Sequence, residues 1–191
     1  TYLQDLGRLM NAALRLSWYK FKHHYMDFVK VLLGIVAFEG LILYIQDKGF
    51  LKDFETTRMT LFLLLFSTSL LIVVQNSIYI SKERSVLNRD FFSGLSRSAF
   101  ALASMGIHAF FAVLETIVFI LSYSVFSKFF DKEFPDAGHI FGSYRWEVGI
   151  TVLLVFLASH FIALFISALV GKSEITSVIL AVVVGIMQFS L

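Results

Sequence analysis

Cysteine is absent from this 191-residue chain, proline occurs once, and only 16% of the residues are charged. Without cysteine there can be no disulfide scaffold and no cysteine-ligated zinc site. One proline beside 11 glycines excludes a collagen-like fibre. Low charge excludes a disordered polyelectrolyte. What fills the space is apolar: 58% of residues are hydrophobic, 22 of them phenylalanine, against 45–50% in an average soluble domain. One core of this size cannot bury that excess. Together with a mean hydropathy of +0.79, the composition predicts an all-α polytopic membrane bundle. The chain opens at Thr1, and its last apolar run is still going at Leu191. It is therefore expected to be a piece of something longer.

A bilayer core about 30 Å thick needs roughly 20 apolar residues. Met59 to Ile80 is free of charge, and Ala99 to Ser127 is interrupted only by His108 and Glu115. Val148 to Gly171 holds His160 as its one ionisable group, whereas Ile175 to Leu191 is short for a crossing. Val31 to Gln46 contains Glu39, with Lys30 at its edge. Five spans are expected, at about residues 29–46, 58–80, 99–127, 148–170 and 175–191. Ten of the 16 Lys and Arg fall on one side: Arg8, Arg15, Lys20, Lys22, Lys30, Lys82, Arg84, Arg89, Arg97 and Lys172. By the positive-inside rule that side, with the N-terminus, is cytoplasmic.

Residues 1–28 carry Leu3, Leu6, Leu9, Leu14, Phe21 and their neighbours at three-to-four-residue steps, with Trp18 and Tyr19 following. That predicts an amphipathic interfacial helix ahead of a transmembrane domain at 29–191. Residues 81–98 predict a short helix on a basic loop, stopped by Gly94. The apolar pair Phe91 and Phe92 on that loop calls for a partner surface. Pro135, Gly138 and Gly142 predict turns in the outer loop. No internal repeat, low-complexity tract or second soluble domain is visible, and the amphipathic N-terminus lacks the continuous apolar region of a cleavable signal.

Gly171-Lys172-Ser173 matches the tail of a phosphate-binding loop, but Ile166 stands where its first glycine belongs. Gly94-Leu95-Ser96-Arg97-Ser98 lacks the last glycine of a nucleophile elbow. His23, His24, His108, His139 and His160 form no H-E-x-x-H. Hydrolase and metal-enzyme readings fall together. Glu39 and Glu115 are costly at span depth and serve either as a proton relay, with His108 on the Glu115 face, or as hydrogen-bonded packing groups. Ser67, Thr68, Ser69, Gln75 and Asn76 either glue helices or line a path. Ser159, Ala163, Ser167 and Gly171 form a row of small residues suited to close helix contact.

The stretch Glu83-Arg84, Arg89-Asp90, Ser93-Gly94 and Arg97, directly after a polar second span, resembles the first cytoplasmic loop of ABC type-2 exporters, most closely the ABCG/White-like group. Gly34, Gly40 and Tyr44 in the first span, and the order of elements, fit the same family. The resemblance implies the permease half of an ATP-driven exporter of hydrophobic or amphipathic cargo. It also implies a coupling helix over Val86 to Arg97, through Leu87, Arg89, Asp90, Phe91, Phe92, Gly94 and Arg97, docking on an ATP-binding ABC domain or subunit. Glu83 is implied to pair with Arg15 or Arg8. Thr68, Leu71, Ile72 and Gln75, with Val178, Val182 and Ile186 opposite, are implied to line a cavity shared with a second permease half, homo- or heterodimeric. ATP and Mg sit on the partner; no cofactor, metal or nucleic acid is expected on this chain. Unlike the family, the chain shows no ATP-binding domain, outer re-entrant helices or sixth span. Membrane lipid surrounds it, in the plasma or bacterial inner membrane; the lack of N-x-[ST] sites and cysteine leans bacterial. A proton-coupled carrier using Glu39, His108 and Glu115, and a non-transporting membrane scaffold, stay open beside this reading.

Overall fold

The computed structural model describes residues 2–46, 53–133, 138, 140–171 and 173–190. Among them there is no strand. The described residues form six helices: α1 (Tyr2–Ile45), α2 (Phe54–Asn76), α3 (Tyr79–Phe92), α4 (Arg97–Phe129), α5 (Tyr144–Val170) and α6 (Glu174–Gln188). The bundle is a polytopic helical membrane fold, and four of its helices are long and apolar enough to cross a bilayer. The fifth expected span is α6. With 15 residues it is about 23 Å long, short of a crossing.

α1 departs from the two segments read in the sequence. It runs unbroken for 44 residues, about 66 Å, from the amphipathic stretch into the apolar one. No glycine or proline separates Phe28 from Val31, and Lys30 bonds Asp27 at 3.1 Å one turn away. The helix therefore has no reason to break there. Its middle already belongs to the bundle, since Phe21 and Phe28 pack on Phe111 of α4 with ring centroids 4.7 and 4.9 Å apart.

The short helix expected within residues 81–98 corresponds to α3, which begins earlier, at Tyr79, and ends at Phe92. α2 stops at Asn76, Ser77 and Ile78 form a turn, and α3 starts at once. Residues 93–96 form the true connection. Gly94 has φ +108°, where a side chain would be strained, and the Leu95 N–H closes back on the Asp90 carbonyl at 3.0 Å. Ser96 then caps α4 by accepting from the Ala99 N–H. The Pro135 turn and Lys172 lie outside the described residues.

One core gathers Val31, Ile35 and Leu43 of α1, Leu64 and Ile72 of α2, Ala112, Phe119 and Tyr123 of α4, and Val152 and Phe156 of α5. A second joins Val73, Ala163, Ile166 and Ala181. That second cluster seats α6 in the groove between α2 and α5. The turn after α2, all of α3 and the start of α4 lie at one end of the bundle.

Candidate functional site

Helical spacing puts His108 and Glu115 seven residues apart on the inner face of α4, and both are buried. His160, the only ionisable side chain deep in α5, enters between them. Its Nε2 lies 2.7 Å from Glu115 Oε2 and its Nδ1 lies 2.9 Å from His108 Nδ1. All three are at most 1% exposed. A buried carboxylate is tolerated at this depth because an imidazole meets it. The other Glu115 oxygen and His108 Nε2 have no partner. Glu39 lies apart from this group; it accepts from the Ser122 hydroxyl of α4. The two intramembrane carboxylates therefore have separate partners, each on a helix distant in sequence.

The polar row of α2 is largely self-satisfied. Thr68 Oγ1 donates to the Leu64 carbonyl and Ser67 Oγ to the Leu63 carbonyl, both at 2.6 Å. Ser69 reaches across to Ser159 of α5 at 2.6 Å. Thr68 and Ile72 face the chain's own core, and Leu71 packs over Gly34 of α1. These three turn away from α6, so Val178, Val182 and Ile186 do not stand opposite them in this chain. Gln75 and its neighbour Asn76 line an open space: a cavity of about 120 Å³ walled also by Lys20, Phe28, Tyr79, Glu83 and His108. Tyr79 meets His108 edge-on at 4.8 Å, which links the buried group to this cavity.

At the α3 end, Glu83 pairs with Lys20 of α1 at 2.5 Å, and neither Arg15 nor Arg8 takes that place. On a 100°-per-residue helix Arg8 and Arg15 point nearly opposite to buried Ser17, whereas Lys20 stays on its face. α3 is also tied to α5, since Ser167 Oγ accepts from the Ile80 and Ser81 N–H groups at 2.8 and 3.0 Å. Leu87 is buried, and Val86, Arg89 and Arg97 are exposed. Asp90 lies 3.9 Å from Arg89. The two phenylalanines divide. Phe91 rests on Phe100 at 5.8 Å under the Arg97 guanidinium, whereas Phe92 is 93% exposed. The apolar pair is thus half covered by this chain itself. Among the described residues no group of three His, Asp or Glu side chains is arranged to hold a metal ion.

The family model of the ABC-2 type transporter matches residues 9–190. The chain belongs to that family. No curated protein and no solved structure matches it. As an ABC-2 membrane domain it is an integral membrane permease, which sets it beside an ATPase. Three residues of this ABC-2 domain went unnoticed as partners in the sequence: His160, Lys20 and Ser122. Only His160 carried a visible signal, as the single ionisable group of its span.

Proposed function

We propose that this ABC-2 permease is one half of an exporter for hydrophobic or amphipathic cargo, driven by an ATP-binding partner that docks on the C-terminal end of α3. The observation that carries the reading is Phe92: a nearly fully exposed aromatic at the tip of a helix whose Leu87 is buried and whose Phe91 is partly covered, with Val86 also exposed further back along it. An aromatic anchor in that setting fits a pocket on a partner. Arg89 and Arg97 flank it and suit an acidic rim.

Movement of α3 has two rigid routes inward. The Lys20–Glu83 pair leads to α1, and the Ser167 bonds lead to α5. The α3 end faces the cytoplasm in this reading, as the distribution of basic residues supports. ATP and Mg belong to the partner. The exposed face of α6, with Ile179, Val183 and Ile186, is the surface available to a second half. In the co-reconstituted complex, Phe92→Ala abolishes cargo-stimulated ATP hydrolysis while the chain's melting temperature holds. Unchanged stimulation sinks the reading.

A second reading rests on the Glu115–His160–His108 contacts, which form a continuous path for a proton to the cavity beside Tyr79. It requires flux driven by a pH gradient without ATP and lost in Glu115→Gln.

A further inference from the structure

A groove of about 610 Å³ runs between α3, α4 and α5, and its chemistry changes along its length. At the α3 end its walls carry two guanidinium groups, Arg84 and Arg97, and no acidic side chain. Arg84 makes one long contact, 3.4 Å to the Ala168 carbonyl, and Arg97 lies over the Phe91 ring. Each guanidinium has five N–H donors, so both keep donors for a further acceptor. Toward the middle of the bundle the walls become Met105, Phe161 and Phe165, all on the outer face of their helices. Between the two zones stands Ser104, 2% exposed, whose hydroxyl has no partner. Ser104 is seven residues along α4 from Arg97, about 10 Å of helix.

The neighbouring 120 Å³ cavity is a useful contrast. There Lys20 and Lys82 are offset by Asp27 and Glu83, so it has no excess positive charge to hold an anion. The groove has the excess, an apolar continuation and an orphaned buried hydroxyl between them. A buried polar atom without a partner calls for one. Two arginines at headgroup depth suit a phosphate. Basic pockets between membrane helices hold anionic lipid headgroups in the same way.

We propose that this groove holds one anionic phospholipid of the leaflet at the α3 end, its phosphate between Arg84 and Arg97, its ester region at Ser104, and its acyl chains on Met105, Phe161 and Phe165. The lipid fills the angle between α3 and the α4–α5 pair and props α3 against the bundle. The inference does not rest on the coupling reading, because it concerns lipid retention by the full-length protein whether or not an ATPase is bound.

The test is native mass spectrometry of the full-length protein in mild detergent, titrated with phosphatidylglycerol or phosphatidylcholine. The wild type is expected to retain one phosphatidylglycerol with a preference of about thirtyfold for two arginines. Arg84→Gln with Arg97→Gln brings the two lipids to parity. Arg89→Gln, outside the groove, leaves the preference intact. Met105→Trp lowers retention of both lipids with the arginines untouched, and it decides the matter if the double arginine variant does not fold. Equal retention of the two lipids by the wild type overturns the proposal. So does displacement of the bound lipid by millimolar inorganic phosphate, which would assign the arginines to a free anion.

Discussion

Lys20 Nζ lies 2.5 Å from Glu83 Oε2, which fastens the amphipathic part of α1 to the first turns of α3. The two are 63 residues apart in sequence, and both are partly buried. An exposed pair of this kind is worth about 0–1 kcal/mol, and partial burial raises the cost of leaving either charge alone. Lys20→Glu is expected to lower the melting temperature in detergent, since it sets two carboxylates together. Exchanging the charges in Lys20→Glu with Glu83→Lys should recover at least half of the loss. If the double variant melts no higher than the single one, the pair does not hold α1 to α3.

His160 has two partners and each of its neighbours has one, so removing the middle member strands more polar groups than removing an end. His160→Leu leaves Glu115 Oε2 and His108 Nδ1 without their contacts. An unsatisfied buried group costs about 1–3 kcal/mol. Replacing both partners by apolar groups is cheaper than replacing one. Glu115→Leu with His160→Leu is therefore expected to be more stable than His160→Leu alone. Thermal melts of the two variants check the order, and a lower melting temperature for the double variant refutes it.

The spans were legible because a long charge-free run has few solutions in a bilayer. The run read at Ala99 to Ser127 became a helix over Arg97–Phe129, and the one at Val148 to Gly171 became Tyr144–Val170. The break at Ser77 was not legible. The residues around it, Val74 to Ile80, contain no glycine or proline to mark a turn. α6 was readable as short by simple counting. The partners of the buried charges were not readable, because His160 meets Glu115 across 45 residues and Ser122 meets Glu39 across 83. Such pairing is set by how the helices are rotated against one another. Lys20 was not readable either: Ala13 and Ser17 mark the inner face of α1, which Lys20 continues one turn on, only once the helix is packed.

Lys132 caps the end of α1 from the far side of the chain. Its ammonium donates to the Leu43 and Gln46 carbonyls, at the end of the helix where backbone acceptors outrun helical donors. Its own carbonyl accepts from Tyr123 at 3.2 Å. A cation at a helix C-terminus also meets the negative end of the helix dipole. Lys132→Met keeps the stem and removes the donors. The expected loss is about 1.5–3 kcal/mol, the usual worth of a hydrogen bond to a charged group. It should appear as faster protease cleavage between α1 and α2, with Lys132→Arg restoring most of the protection. Wild-type cleavage rates in Lys132→Met would remove the cap from the account of this end of the bundle.

α6 packs through the small face formed by Ser177, Ala181 and Gly185, which are its buried residues. These fall four residues apart and bring the helix close to α2. A Cβ on Gly185 would lie 2.6 Å from the Leu70 Cδ1, the far end of a flexible side chain, with the next atom at 4.0 Å. Leu70 can swing away from a single methyl, so Gly185→Ala is expected to be mild. Gly185→Leu adds a branched group that the α2 surface cannot absorb, and overpacking of this kind costs about 1–3 kcal/mol. Because α6 packs mainly on α2 and α5, the cost should fall locally. Hydrogen exchange over residues 174–188 should then rise in Gly185→Leu, while the α4 amides around His108 and Glu115 stay protected. If exchange rises equally in α4, the second cluster is not a separable seat for α6 but part of one cooperative core.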